Sequence, residues 1–202
     1  MSRITSVAPQ DAGPLVRIAY RFARRRLGEV PEPFAVTAHH PKLFVASARH
    51  ELAVEKATRV VPKNIIELAV YRTAWTVGCS WCVDFGEMLQ RLDGLDVDRL
   101  RHIADFETSD AYSEEEREAI RYADAMTSTP TTVTDEQVAA LVDRYGNDGV
   151  VELTYQIALE NQRARFNHSL GITAQGFGSG DTCRVPWSAE PSERQRASVQ
   201  GG

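Results

Sequence analysis

Two cysteines three positions apart, Cys79 and Cys82, form a Cys-x-x-Cys in the stretch from Glu67 to Gly86, and Glu67 stands twelve residues before the first of them. Thiols at this spacing, the first at a helix start, can close a disulfide across one turn. A helix N-terminus also lowers thiol pKa, because unpaired backbone N–H groups and the helix dipole stabilise a thiolate. The thiolate is the nucleophile, so the pair points to redox chemistry. A second reading stands beside it: cysteine is among the most buried residue types, and Trp75, Val77 and Trp81 make the neighbourhood apolar. From the residues alone, a reactive dithiol and two packed thiols both stay open.

In an active pair, peroxide oxidises one thiolate to a sulfenic acid, and the partner condenses with it to a disulfide. Thiol–disulfide exchange with a reductant restores the dithiol. Position at the helix start favours Cys79 as the thiol of lower pKa. Glu67 lies in an otherwise apolar run, where a carboxylate needs a partner or a proton. It either pairs with an arginine or keeps a raised pKa as a proton carrier near the thiols. Twelve residues of unbroken helix span about 18 Å. Glu67 therefore reaches the thiols only through water, across a subunit interface, or if the chain folds back at Gly78, a residue suited to such a break.

Glu67, Cys79 and Cys82 resemble, in type and spacing, the Glu-x11-Cys-x-x-Cys core of alkylhydroperoxidase D-type proteins, within the wider carboxymuconolactone decarboxylase family. The resemblance implies an all-α helical bundle that assembles into homo-oligomers, trimers or hexamers. It implies a peroxidase using a small hydroperoxide and a dithiol reductant, without a cofactor. Cys82 is then the attacking sulfur, Cys79 the resolving one, and Glu67 the start of a proton relay. The family core continues to a histidine four residues after the second cysteine, where this chain has Gly86. Asp84 matches an acid often found two residues after that cysteine, and His168 is the candidate substitute for the absent imidazole. A non-catalytic oligomeric binding protein and a muconolactone-type decarboxylase are the alternatives. Decarboxylation does not need paired cysteines.

The elements that must position these residues are helical throughout. Pro14 opens a helix ending at Gly28, with Leu15, Ile18, Ala19 and Phe22 as its expected inner stripe. A short helix over Phe34 to His39 precedes one from Pro41 to about Thr58, with Leu43, Phe44 and Leu52 expected inside; His39 and His40 read as helix-end groups. Pro62 opens a central helix that is apolar nearly all round, as suits the middle of a bundle. Further helices are expected over 80–92, with Phe85, Met88, Leu89 and Leu92 on one side, and from Asp96 to about Phe106. Ser113-x-x-Glu116 and Thr134-x-x-Gln137 are capping-box patterns. The second of these opens a helix that Gly146 closes, and a last helix runs from Asp148 to about Leu170. Its polar end carries Glu160, Asn161, Asn167 and His168 at helical spacing and reads as a hydrogen-bonded interface network before a site.

Strand-like alternation is absent. The expected organisation is an extended leader (1–13), one helical domain (14–188) and a disordered tail (189–202). Among 202 residues, 43% are apolar and 25% charged, an ordinary globular profile. A net charge of −5 supplies no basic field for nucleic acid. The cluster Arg21, Arg24, Arg25 and Arg26 reads as a solvated or subunit-contacting helix face. No run is long and apolar enough for a membrane span, and three cysteines fit a reducing cytoplasm. A zinc site would need Cys79, Cys82, Cys183 and a histidine together, at spacing unlike common zinc modules.

Overall fold

The computed structural model describes residues 2–178 and 185. Seven α-helices and a 3₁₀ helix make up its regular structure: α1 Pro14–Leu27, α2 Glu32–Thr37, α3 Pro41–Ala57, α4 Lys63–Val77, α5 Ser80–Leu92, the 3₁₀ helix Asp98–Asp105, α6 Glu114–Thr127 and α7 Asp135–Ser169. The all-α architecture follows the sequence pattern, and the order of elements does too. Gly146 interrupts α7 with φ 71° and ψ 175°, so this long helix is two segments meeting at a kink. Both capping boxes form: Ser113 and Glu116 bond reciprocally at the start of α6, and Thr134 and Gln137 at the start of α7. Among the described residues no helix is long and apolar enough to cross a membrane.

The central helix α4 packs on α5, α6 and α7, as its all-round apolar surface requires. One side of it, with Ile65, Ile66 and Ala69, meets Ala119 and Ala123 of α6 and Leu153 and Ile157 of α7. Another side, with Leu68, Tyr71 and Ala74, joins Cys79, Cys82 and Val83. The one buried cation of α4, Arg72, is matched on all sides. Its guanidinium donates to both carboxylate oxygens of Asp124, at 2.7 and 2.9 Å, and to the Ile103 carbonyl at 2.6 Å. It also lies 4.4 Å from the Trp75 ring centroid. A bidentate, fully satisfied pair of this kind avoids the cost of an orphaned buried charge.

Three expected faces turn out differently. The stripe Leu15, Ile18 and Phe22 of α1 points outward, and α1 buries Val16, Tyr20 and Ala23 instead. Helix α3 buries Phe44 and leaves Leu43 and Leu52 exposed. Helix α5 turns Trp81, Val83, Glu87 and Gln90 inward and leaves Leu92 exposed. The inner face of each helix follows from its neighbours, and a small or polar residue with partners is buried as readily as an unpartnered apolar one. Residues 2–13 are not helical. They dock through Arg3, whose backbone and side-chain N–H groups donate to the carbonyls of Leu170 and Ser169 and so cap the end of α7.

Candidate functional site: the Cys79–Cys82 hairpin

Gly78 makes the hairpin. It adopts φ 83° and ψ 27°, a left-handed conformation natural to glycine. Its N–H bonds the Trp75 carbonyl at 3.1 Å, and the Cys79 N–H bonds the Ala74 carbonyl at 3.0 Å. These are the two bonds of a Schellman ending, which reverses the chain immediately after α4. Cys79 becomes the N-cap of α5, and its sulfur accepts the backbone N–H of Cys82 at 3.2 Å. The two sulfurs are joined as a disulfide with Cα atoms 5.3 Å apart. Both cysteines are buried, Cys79 at 1% exposure and Cys82 at 8%, so Cys82 is the more exposed residue of the pair.

The structure brings to Cys82 a residue that the sequence places in the polar network of α7 and not at the thiols. Asn167 of α7 is 2% exposed, and its side-chain amide donates to the Cys82 sulfur at 3.3 Å. His168, the expected substitute for the missing imidazole, is exposed beside it. Consecutive helix residues diverge by about 100° around the axis, so burying Asn167 against the hairpin carries His168 off that face. A signal for Asn167 existed. Leu153, Ile157, Glu160, Ala164 and Asn167 recur at alternating four- and three-residue spacing, and all five are buried.

Glu67 does not meet the sulfurs. The antiparallel hairpin sets Tyr71 beside Gly86, where a Cβ on Gly86 would lie 3.4 Å from the tyrosine ring. One turn further from the cysteines, the Glu67 carbonyl meets the Gln90 amide, and beyond it Lys63 pairs with Asp93 at 2.6 Å. Gln90 lies eight residues past Cys82, about 12 Å along α5. The Glu67 carboxyl therefore belongs to a group at the far end of the hairpin, with Lys63 at 3.7 Å rather than an arginine. Burial, reinforced by the neighbouring Asp93 carboxylate, pushes its pKa up to about 8, against the opposing pull of Lys63. One of its carboxyl oxygens is buried without a hydrogen-bond partner. The chain reversal at Gly78, one of the three routes expected for a relay, is present, and it sets Glu67 near Asp93 and Gln90.

Asp84 has a structural task. Its Oδ2 accepts the backbone N–H groups of Gln175, Gly176 and Phe177 at 2.9, 2.9 and 3.1 Å, and its Oδ1 accepts that of Gly178 at 2.7 Å. A carboxylate bound by four backbone amides anchors this segment to α5. The anchored segment lies against α5 through aromatic contacts. Trp81 stacks on Phe85 at 4.6 Å, Phe177 meets Phe85 edge-on at 5.3 Å, and the Trp81 indole N–H donates to Gln175 at 2.7 Å. A Cβ at Gly178 would fall 2.5 Å from a Glu87 carboxylate oxygen, so any side chain there would make Glu87 shift. Among the described residues no group of three or more His, Cys, Asp or Glu side chains could hold a metal ion. Cys183 and the expected disordered tail lie outside the described residues.

The chain is 32% identical over 163 residues to the uncharacterized protein YnjA of Escherichia coli (strain K12), covering 81% of this chain and 87% of YnjA. It is 34% identical over 87 residues to the alkyl hydroperoxide reductase Rv2159c of Mycobacterium tuberculosis, 42% of this chain and 24% of that protein. Among solved structures, the debrominase Bmp8 superposes with a TM-score of 0.74 at 21% identity, over 86% of this chain and 92% of that one. An alkylhydroperoxidase AhpD core protein from Ralstonia eutropha JMP134 superposes with a TM-score of 0.70 at 20% identity, over 87% and 94%. The chain belongs to the alkylhydroperoxidase D-like family. It shares the helical fold of those neighbours, and no family profile matches it.

Proposed function

We propose that the protein is a thiol-dependent peroxidase that cycles between a Cys79–Cys82 dithiol and the corresponding disulfide. The observation that carries this reading is the bonded pair at the start of α5, its first sulfur the N-cap and its second the more exposed. The relationship to a protein named as an alkyl hydroperoxide reductase supports it.

The cycle assigns the two sulfurs different work. The Cys82 thiolate attacks the outer oxygen of a small organic hydroperoxide. A sulfur–oxygen bond forms, the oxygen–oxygen bond breaks, and the alkoxide leaves as an alcohol after taking a proton from solvent. The Cys79 thiolate then attacks the Cys82 sulfenic acid, forming the disulfide and releasing hydroxide, which is protonated to water. A dithiol reductant closes the cycle by attacking the sulfur of Cys82, the more exposed residue, and is itself oxidised to a disulfide. Cys79 leaves as the thiolate that its N-cap position favours, and a leaving thiol of lower pKa leaves faster. The helix start favours Cys79 as leaving group, and exposure favours Cys82 as nucleophile. The outward apolar stripe of α1 supports the self-association that the family resemblance implies.

The test is turnover of a small organic hydroperoxide with a dithiol reductant by the wild-type protein and by Cys82→Ser. Turnover by wild type that the substitution abolishes is the expected result. Equal rates for both proteins would leave the non-catalytic oligomer as the better account.

A further inference from the structure

We propose that Asn167 is the residue that stabilises the Cys82 thiolate, supplying by hydrogen bonding alone what an imidazole at position 86 cannot supply here. The inference rests on the dithiol reading above. Its first support is contact: the amide of Asn167 donates to the Cys82 sulfur at 3.3 Å. Its second is burial. An amide that is 2% exposed at the end of a core stripe must be hydrogen-bonded to be retained there, and this sulfur is its acceptor. Its third is placement, because the end of α7 is held by Arg3 through the Ser169 and Leu170 carbonyls, and by the Ile172 N–H on the Asn167 carbonyl at 3.0 Å.

The charged groups on the surrounding helices are committed elsewhere. Arg72 of α4 pairs with Asp124, and Tyr71 turns its ring to Gly86. On α5, Asp84 binds the 175–178 amides and Glu87 pairs with Arg91. On α7, Glu160 pairs with Arg163, and His168 is exposed. A hydrogen bond to a charged acceptor is stronger than one to its neutral form, so the Asn167 contact favours the ionised sulfur. Asparagine differs from histidine in one respect that matters: it cannot take the thiol proton. Cys82 therefore gives its proton to solvent, and it titrates beside the Cys79 thiol, its neighbour in the pair.

The experiment follows alkylation of Cys82 by iodoacetamide against pH in the reduced full-length protein, read peptide by peptide with mass spectrometry. It compares wild type with Asn167→Leu and the isosteric Asn167→Asp. Loss of the donor should raise the Cys82 midpoint by about one pH unit in the leucine variant, and a carboxylate beside the sulfur should raise it further. In wild type, the side-chain amide resonance of Asn167 should shift with pH at the same midpoint as Cys82 alkylation, a readout that needs no substitution. An Asn167 amide that does not sense the ionisation, or unchanged midpoints in variants with native circular dichroism, would overturn the assignment. Displaced midpoints without peroxide turnover would retain the assignment and remove the peroxidase reading.

Discussion

Replacing Asp84 with alanine should release the 175–178 segment from α5. The carboxylate accepts four backbone N–H groups between 2.7 and 3.1 Å. Hydrogen bonds to a charged group are each worth about 1.5–3 kcal/mol, which would sum to roughly 6–12 kcal/mol if they were independent. They are not independent. The donors are successive amides of one surface segment, Gly176 is exposed, and all four can turn to water once the carboxylate is gone. The contacts of Phe177 with Trp81 and Phe85 and the Gln175–Trp81 bond also remain. A net loss of about 3 kcal/mol is the reasonable middle, corresponding to an opening equilibrium raised by about 100-fold. Amide hydrogen exchange of residues 175–178 measures that opening directly, and Trp81 indole N–H exchange should accelerate with it. Unchanged protection of these amides in Asp84→Ala would refute the anchor role and return Asp84 to the candidates for proton handling.

Two further outcomes follow from the hairpin. Glu67 is protonated in the folded protein up to about pH 8, whereas the unfolded chain ionises near its ordinary value of 4.5. Between those values the folded state holds the extra proton, so stability falls as pH rises through this window, by about 2–4 kcal/mol after allowance for partial solvation. Glu67→Gln should flatten that slope in urea unfolding at pH 5 and pH 9; an undiminished slope would remove the buried-acid account. Gly86→Ala places a methyl group 3.4 Å from the Tyr71 ring, an ordinary contact, in the middle of α5. It should raise stability by about 0.5–1 kcal/mol, read as a higher melting temperature, and a lower one would show that the tyrosine packs too closely for any side chain there.

The local punctuation of this chain was readable before its structure. Pro14, Pro41 and Pro62 mark helix starts, Gly78 and Gly146 mark breaks, and the Ser113 and Thr134 boxes form as their spacing requires. These features act within a few residues and need no knowledge of the rest of the fold. Facing was harder to read. The stripe of Leu15, Ile18 and Phe22 has the period of a buried helix face, yet it lies outside. Period reports that a helix is two-sided without saying which side meets a neighbour in the same chain. The site shows the same limit. Cys79 and Cys82 lie within one helical turn and are legible from spacing, whereas the Asn167–Cys82 contact joins positions 85 apart. The polar cluster at the end of α7 is legible as a set, but its members divide by position around the helix: Glu160 and Asn167 inward, Asn161 half-buried, His168 outward. Glu160 is read correctly only when its burial is known, which pushes its pKa up to about 7 despite Arg163.

The effect of a peroxide on the reduced protein tests the dithiol cycle most directly. One equivalent of a small organic hydroperoxide, followed by acid quench and peptide mass spectrometry, should yield the Cys79–Cys82 disulfide in proportion to peroxide consumed, and a dithiol should reverse it. Peroxide consumed without that disulfide, with Cys82 recovered as free thiol or the oxidation found at Cys183, would contradict it.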